Sequence, residues 1–134
     1  MPIHEECGVF GIFNRGLEQN AVHETYLALF ALQHRGQVSC GIAVRNGKTV
    51  DCITDMGTVP NVFTAEKLAA LTENGNGDVA LGHVRYSTHG EEDEINNQPM
   101  VMSYARGSIS VANNGCLVNT AKLREKLQNE GAVF

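Results

Sequence analysis

The stretch Cys7-Gly8-Val9-Phe10-Gly11-Ile12, six residues in from Met1, sets how the rest of the chain is read. Val9, Phe10 and Ile12 predict a short buried strand, with Cys7 at its mouth. Gly8 puts no side chain beside the thiol, so an approaching substrate meets little obstruction there. If the bond between Glu6 and Cys7 were cut, Cys7 would carry a nucleophilic sulfur and a free α-amine on one residue. Such an amine titrates at about 7.7–8.0 in model compounds, near working pH. A nucleophile with its base on the same backbone unit needs no separate histidine, as in hydrolases with an N-terminal Thr. Taken alone, the six residues fit a small buried cysteine opening a strand better than they fit catalysis.

The composition narrows the classes. A chain of 134 residues suits one domain, and 43% hydrophobic with 19% charged residues describes a globular protein with a real core. A net charge of −5 without a Lys/Arg cluster argues against nucleic-acid binding, and no apolar run approaches a membrane span. Residues 1–6 hold His4, Glu5 and Glu6 and no apolar segment, which fits a short pro-segment and not a signal peptide. The four cysteines, Cys7, Cys40, Cys52 and Cys116, show no C-x-x-C spacing. Without an export signal they are expected as reduced thiols in the cytosol.

Outward from the first strand, apolar residues Val22, Tyr26, Leu29 and Phe30 at helical spacing predict a helix over 19–34, with Gly36 as its C-cap. Strands are expected at 39–45 and 48–54, joined by the hairpin signal Asn46-Gly47. A loop over 55–63 and a helix over 65–73 capped by Thr64 follow. Residues 78–86 predict a third core strand, and 87–98 a polar loop holding Glu91, Glu92, Asp93 and Glu94. A strand pair at 99–104 and 108–113 precedes an amphipathic helix at 121–130, with Leu123 and Leu127 one turn apart. Antiparallel hairpins with helices laid on sheet faces give an α+β layered fold.

Four stretches stand out together: the Cys7 strand; Leu32-Gln33-His34-Arg35-Gly36-Gln37 with Ser39-Cys40-Gly41-Ile42-Ala43; Gly82-His83-Val84-Arg85-Tyr86-Ser87-Thr88; and Asn113-Asn114-Gly115-Cys116-Leu117-Val118-Asn119. With Asn97-Gln98-Pro99 they resemble the glutaminase domain of class II, or N-terminal-nucleophile, glutamine amidotransferases, and within that class the amidophosphoribosyltransferase family. The resemblance implies an Ntn-hydrolase-like αββα layering, incomplete at its C-terminal side. It also implies self-cleavage before Cys7, so that 1–6 form a leader and 7–134 the N-terminal part of the glutaminase domain, the phosphoribosyltransferase domain being absent.

For the site, the resemblance makes Cys7 the nucleophile on the side-chain amide of glutamine and gives the oxyanion hole to Asn114 and Gly115. It places Arg85 on the glutamine α-carboxylate, where a guanidinium forms a bidentate pair, with Thr88 as a hydroxyl contact and His89 as a substrate neighbour. From the residues alone, Arg85 fits equally an ion pair with one of Glu91–Glu94, His89 a loop histidine, and Asn114-Gly115 an ordinary turn. Arg35 and His83 are expected to be structural, and Cys40, Cys52 and Cys116 small core residues.

The parent enzyme implied by the resemblance passes ammonia to phosphoribosyl pyrophosphate, opening purine synthesis in the cytoplasm as a homo-oligomer. Its cofactors, magnesium in the phosphoribosyltransferase half and in some members an iron–sulfur cluster, are expected outside this chain, as is the acidic residue that holds the glutamine α-amino group. The chain by itself is therefore expected not to complete the reaction. Two rivals remain: another class II amidotransferase, of hexosamine-phosphate or asparagine-forming type, and a non-catalytic glutamine-binding module.

Overall fold

The computed structural model describes residues 7–14, 20–74, 77–86, 94–115 and 117–133. Among them, β1 (Gly8–Phe13), β2 (Ser39–Asn46), β3 (Thr49–Met56) and β4 (Val79–Arg85) form an antiparallel sheet in the order β1-β4-β2-β3. A second sheet pairs β5 (Met100–Tyr104) with β6 (Gly107–Val111). Helices α1 (Ala21–Ala31), α2 (Val59–Val62) and α3 (Ala65–Asn74) cover the first sheet, and α4 (Thr120–Asn129) follows the second. This is the α+β layering expected.

Register accounts for the core. Ala80, Gly82 and Val84 of β4 turn toward α1, since a Cβ on Gly82 would meet Thr25 and Leu29. Their partners continue that face: Val44, Ile42 and Cys40 on β2, and Ile12, Phe10 and Gly8 on β1. Val22, Leu29, Val59, Val62, Phe63 and Leu71 close over them from the helices. Cutting the fully buried Leu29 back to Ala would cost about 2–5 kcal/mol. On the opposite face, a Cβ on Gly41 would strike the Gln98 carbonyl and Pro99, so the segment leading into β5 lies flat on β2. Burial on both faces is why β2 reads as a nearly unbroken apolar run.

Several expected elements shift. The first helix spans 21–31 and not 19–34; Asn20 Oδ1 accepts from the Val22 and His23 N–H groups at 3.0 and 3.3 Å, and Gln33–Arg35 tighten into a 3-10 turn. Its buried stripe runs through Val22, Thr25 and Leu29, so Phe30 stays 55% exposed while the Thr25 hydroxyl donates to the Ala21 carbonyl at 2.7 Å. Gly36 lies in extended backbone and caps the 3-10 turn, its N–H donating to the Gln33 carbonyl at 3.2 Å; it is needed because a Cβ there would meet the Arg85 backbone at 2.5–2.9 Å. Gly8 is buried, and its missing side chain makes room for Val84 and Leu32 instead of leaving the thiol open. The expected loop over 55–63 contains the end of β3 and the short α2, whose Val59 N–H donates to Gln33 Oε1 at 2.6 Å. In the hairpin Asn46 pairs with Thr49, leaving Gly47 (φ +58°) and Lys48 as the turn. Helix α4 buries none of its residues among the described ones, so its leucines face no described partner.

Candidate active site

One end of the four-stranded sheet gathers the mouth of β1, the end of β4, the 3-10 turn and the loop after β6. Cys7 stands one step before Gly8, which pairs with Val84, so it lies across from the Arg85–Tyr86 end of β4. The Tyr86 N–H donates to Cys7 Sγ at 3.4 Å, and the thiol reaches back to the Tyr86 carbonyl at 3.8 Å. The Cys7 carbonyl accepts from two side chains, Arg35 Nε at 2.8 Å and Asn114 Nδ2 at 3.2 Å. With φ at +35°, Cys7 is the one non-glycine residue of positive φ among the described residues. A side chain is disfavoured in that region, and such strain persists where surrounding contacts over-determine it. Four contacts, from Tyr86, Arg35 and Asn114, do so here.

The loop that delivers Asn114 is itself built. Asn113 Nδ2 donates to the Gly115 carbonyl at 3.1 Å, and the Asn113 N–H donates to Gln98 Oε1 at 2.6 Å. Gly115 has φ +157°, at the edge of the region that favours glycine. The turn thus sets a side-chain amide beside the backbone of Cys7.

Arg85 ends β4, half-buried, opposite Ser39, and its carbonyl accepts the Val38 N–H at 3.0 Å. Thr88, His89, Cys116 and residues 1–6, expected as a leader, lie outside the described residues, as do Glu91, Glu92 and Asp93. His83 is fully buried on the face turned toward the second sheet; its ring lies against the Asn113 backbone, yet neither nitrogen makes a hydrogen bond of ordinary geometry. Burial holds its pKa below the usual histidine value, and the charge on Arg85 adds to that. Burial pushes the Cys40 thiol up to about 12, helped by the charge of Asp55 and opposed by Lys67, and pushes Cys52 up to about 11.

Two residues gain importance over their sequence reading. Arg35 was expected to be structural, and the fold sets it on the Cys7 carbonyl across 28 positions of chain. Gln98, singled out only as part of a motif, holds the loop that carries Asn114. The motif stretches flagged both, but no spacing rule reports a contact between distant segments.

Two cavities differ in relevance. One of about 540 Å³ lies at the far end of the sheet, between Phe13, Arg45, Lys48 and Ser108, away from every candidate residue. Another of about 510 Å³, lined by His34, Gln37, Val38, Met56, Gly57 and Tyr86, borders the residue that holds Cys7 Sγ. The chemistry points to the second. Among the described residues no three His, Cys, Asp or Glu side chains come together to share a metal ion. No helix among them is long and apolar enough to cross a membrane.

With a cysteine, an amide-bearing turn and an arginine at one sheet end, comparison with known proteins becomes specific. Residues 66–134, just over half of the chain, match the family described as the glutamine amidotransferase domain. The chain belongs to that family. Among curated relatives it is 42% identical over 132 residues to the amidophosphoribosyltransferase of Methanothermobacter thermautotrophicus, covering 98% of this chain and 27% of that protein. It is 47% identical over 127 residues to the amidophosphoribosyltransferase of Synechocystis, covering 95% and 24%. Among solved structures it superimposes on the glutamine phosphoribosylpyrophosphate amidotransferase of B. subtilis complexed with ADP and GMP, with a TM-score of 0.76, 36% identity and coverage of 94% and 26%. A second match, described as the allosteric regulatory enzyme of purine biosynthesis, gives a TM-score of 0.81, 37% identity and the same coverage. The amidotransferase domain seen here thus spans about a quarter of the relatives it matches.

Proposed function

We propose that this chain is the glutamine-hydrolysing portion of an amidophosphoribosyltransferase that works through an N-terminal cysteine. With residues 1–6 removed, the freed α-amine of Cys7 takes the thiol proton and Sγ attacks the side-chain amide carbon of glutamine. The electron pair moves to the amide oxygen, which Asn114 Nδ2 and the Gly115 N–H receive. The C–N bond then breaks, nitrogen takes a proton from the Cys7 ammonium and ammonia departs. Water hydrolyses the thioester to glutamate and restores the thiol. Arg85, with Thr88 and His89, is assigned to the amino-acid end of glutamine, its guanidinium on the α-carboxylate.

Ammonia then displaces pyrophosphate from phosphoribosyl pyrophosphate, giving 5-phosphoribosylamine, the first step of de novo purine synthesis. That transfer belongs to the part of the relatives outside this chain, which with its magnesium makes the whole a glycosyltransferase. Free thiols at Cys7, Cys40 and Cys52 suit a reducing compartment such as the cytosol. The observation that carries the proposal is the approach of Asn114 Nδ2 to the Cys7 carbonyl at 3.2 Å, while Tyr86 N–H holds Sγ.

Glutamine hydrolysis tests it, measured on this chain freed of residues 1–6 and on the same chain prolonged by the coding sequence downstream of Phe134. The prolonged protein releases ammonia from glutamine, Cys7→Ser abolishes release, and Asn114→Ala lowers kcat about 10²–10³-fold, as loss of one oxyanion donor does. A prolonged, leader-free protein that leaves glutamine intact overturns the proposal.

A further inference from the structure

We infer that Gln98 is a positioning residue of this site, the strut that holds the Asn113–Gly115 turn at the height where Asn114 meets Cys7. The inference rests on the glutamine-hydrolysis reading above and assigns it one more residue. Gln98 touches both things it must join. Its backbone carbonyl lies over Gly41 of β2, in the space a Cβ would fill, so its main chain is seated on the sheet. Its side-chain Oε1 accepts the Asn113 N–H at 2.6 Å. Beyond Asn113 the chain of contacts is short. Asn113 Nδ2 donates to the Gly115 carbonyl at 3.1 Å, and Asn114 Nδ2 donates to the Cys7 carbonyl at 3.2 Å.

The arrangement needs such a strut. Asn113, Asn114 and Gly115 lie past the end of β6, where no strand ladder fixes the backbone, and all three are exposed. The buried ring of His83 lies against the Asn113 backbone without an ordinary hydrogen bond to it. Gln98 Oε1 supplies the acceptor for the Asn113 N–H. An oxyanion donor works only if it is fixed before charge develops, and a displacement of about 1 Å through a loose supporting residue is enough to lose much of its effect. Gln98 touches neither Cys7 nor the reacting atoms in these contacts. Its effect therefore belongs in the chemical step, not in glutamine affinity.

Three forms of the prolonged, leader-free protein test this: unsubstituted, Gln98→Leu and Gln98→Glu. Leu removes the acceptor at similar size, whereas Glu keeps an oxygen where Oε1 stands. Gln98→Leu is expected to lower kcat for ammonia release about tenfold or more with KM for glutamine within about twofold, and Gln98→Glu to stay within about threefold of the unsubstituted kcat. Alkylation of Cys7 by iodoacetamide, which needs no oxyanion donor, is expected to be equal in all three and reports an intact thiol and fold. An unimpaired Gln98→Leu overturns the positioning role alone, as does equal impairment of Leu and Glu, or a Gln98→Leu that alters KM and alkylation along with kcat. Failure of the unsubstituted protein to hydrolyse glutamine is instead failure of the reading beneath it, and the positioning role falls with it.

Discussion

At the scale of single residues, what separates Cys7 from Cys40 and Cys52 is surroundings, not chemistry. Cys40 is sealed under the helices beside the negative charge of Asp55, and Cys52 is largely shielded with its Sγ 3.5 Å from the Pro99 carbonyl. With pKa values near 12 and 11, both are almost wholly thiols at neutral pH, and thiolate is the reactive form. Cys7 is partly open to solvent. Iodoacetamide at pH 8 is therefore expected to label Cys7 ahead of Cys40 and Cys52 by at least about tenfold, read by peptide mass spectrometry. Equal labelling of Cys40 in the folded chain would show that its burial is overstated.

At the scale of elements, glycines mark where two backbones close on each other. Gly36 lies against the Arg85 backbone, and Arg85 precedes the residue that holds Cys7 Sγ. Gly36→Ala is expected to destabilise the chain by about 1–3 kcal/mol, because the partner atoms are main chain and cannot rotate away. Denaturant melts check this, and an unchanged midpoint contradicts it. The sequence carried the hairpin and the core strands well, because Asn46-Gly47 and the runs around Ile42 and Val84 are strong local signals. It carried the buried face of the first helix less well, since Thr25 and not Phe30 faces the sheet. Gly36 and Gly8 were visible as glycines, but their reasons were not: each is required by an atom from a distant segment. The motif stretches likewise named Cys7, Arg35, Gln98 and Asn114 without saying that they touch. That information exists only once β1, β4 and the loop after β6 are brought to one end.

At the scale of the whole molecule, His83 links stability to pH. In the unfolded chain it titrates near 6.5, while in the fold burial keeps it neutral to a lower pH. Between those two values the unfolded chain takes up a proton that the native chain does not. The contribution is thus fully present above about pH 6.5 and is lost as pH falls toward the folded value. Thermal unfolding is expected to give a Tm that drops from pH 7 to pH 5, and His83→Gln is expected to flatten that drop. An equally steep profile in His83→Gln would remove the linkage. Exposed apolar residues of the second sheet and beyond, among them Met102, Tyr104, Ile109 and Val118, extend over a surface of the kind that associates. The chain alone is accordingly expected to self-associate at high concentration, and sedimentation that shows only monomer at every concentration would contradict this.

All three scales meet in the claim that Cys7, held beside Asn114 and across from Arg85, is the nucleophile toward glutamine. Covalent labelling of the prolonged, leader-free protein by a diazoketone analogue of glutamine, with the adduct located by peptide mass spectrometry, tests it most directly. The expected result is a single adduct on Cys7, prevented by excess glutamine and slowed by Asn114→Ala. An adduct on any other residue, or labelling of Cys7 that glutamine does not suppress, would contradict the account.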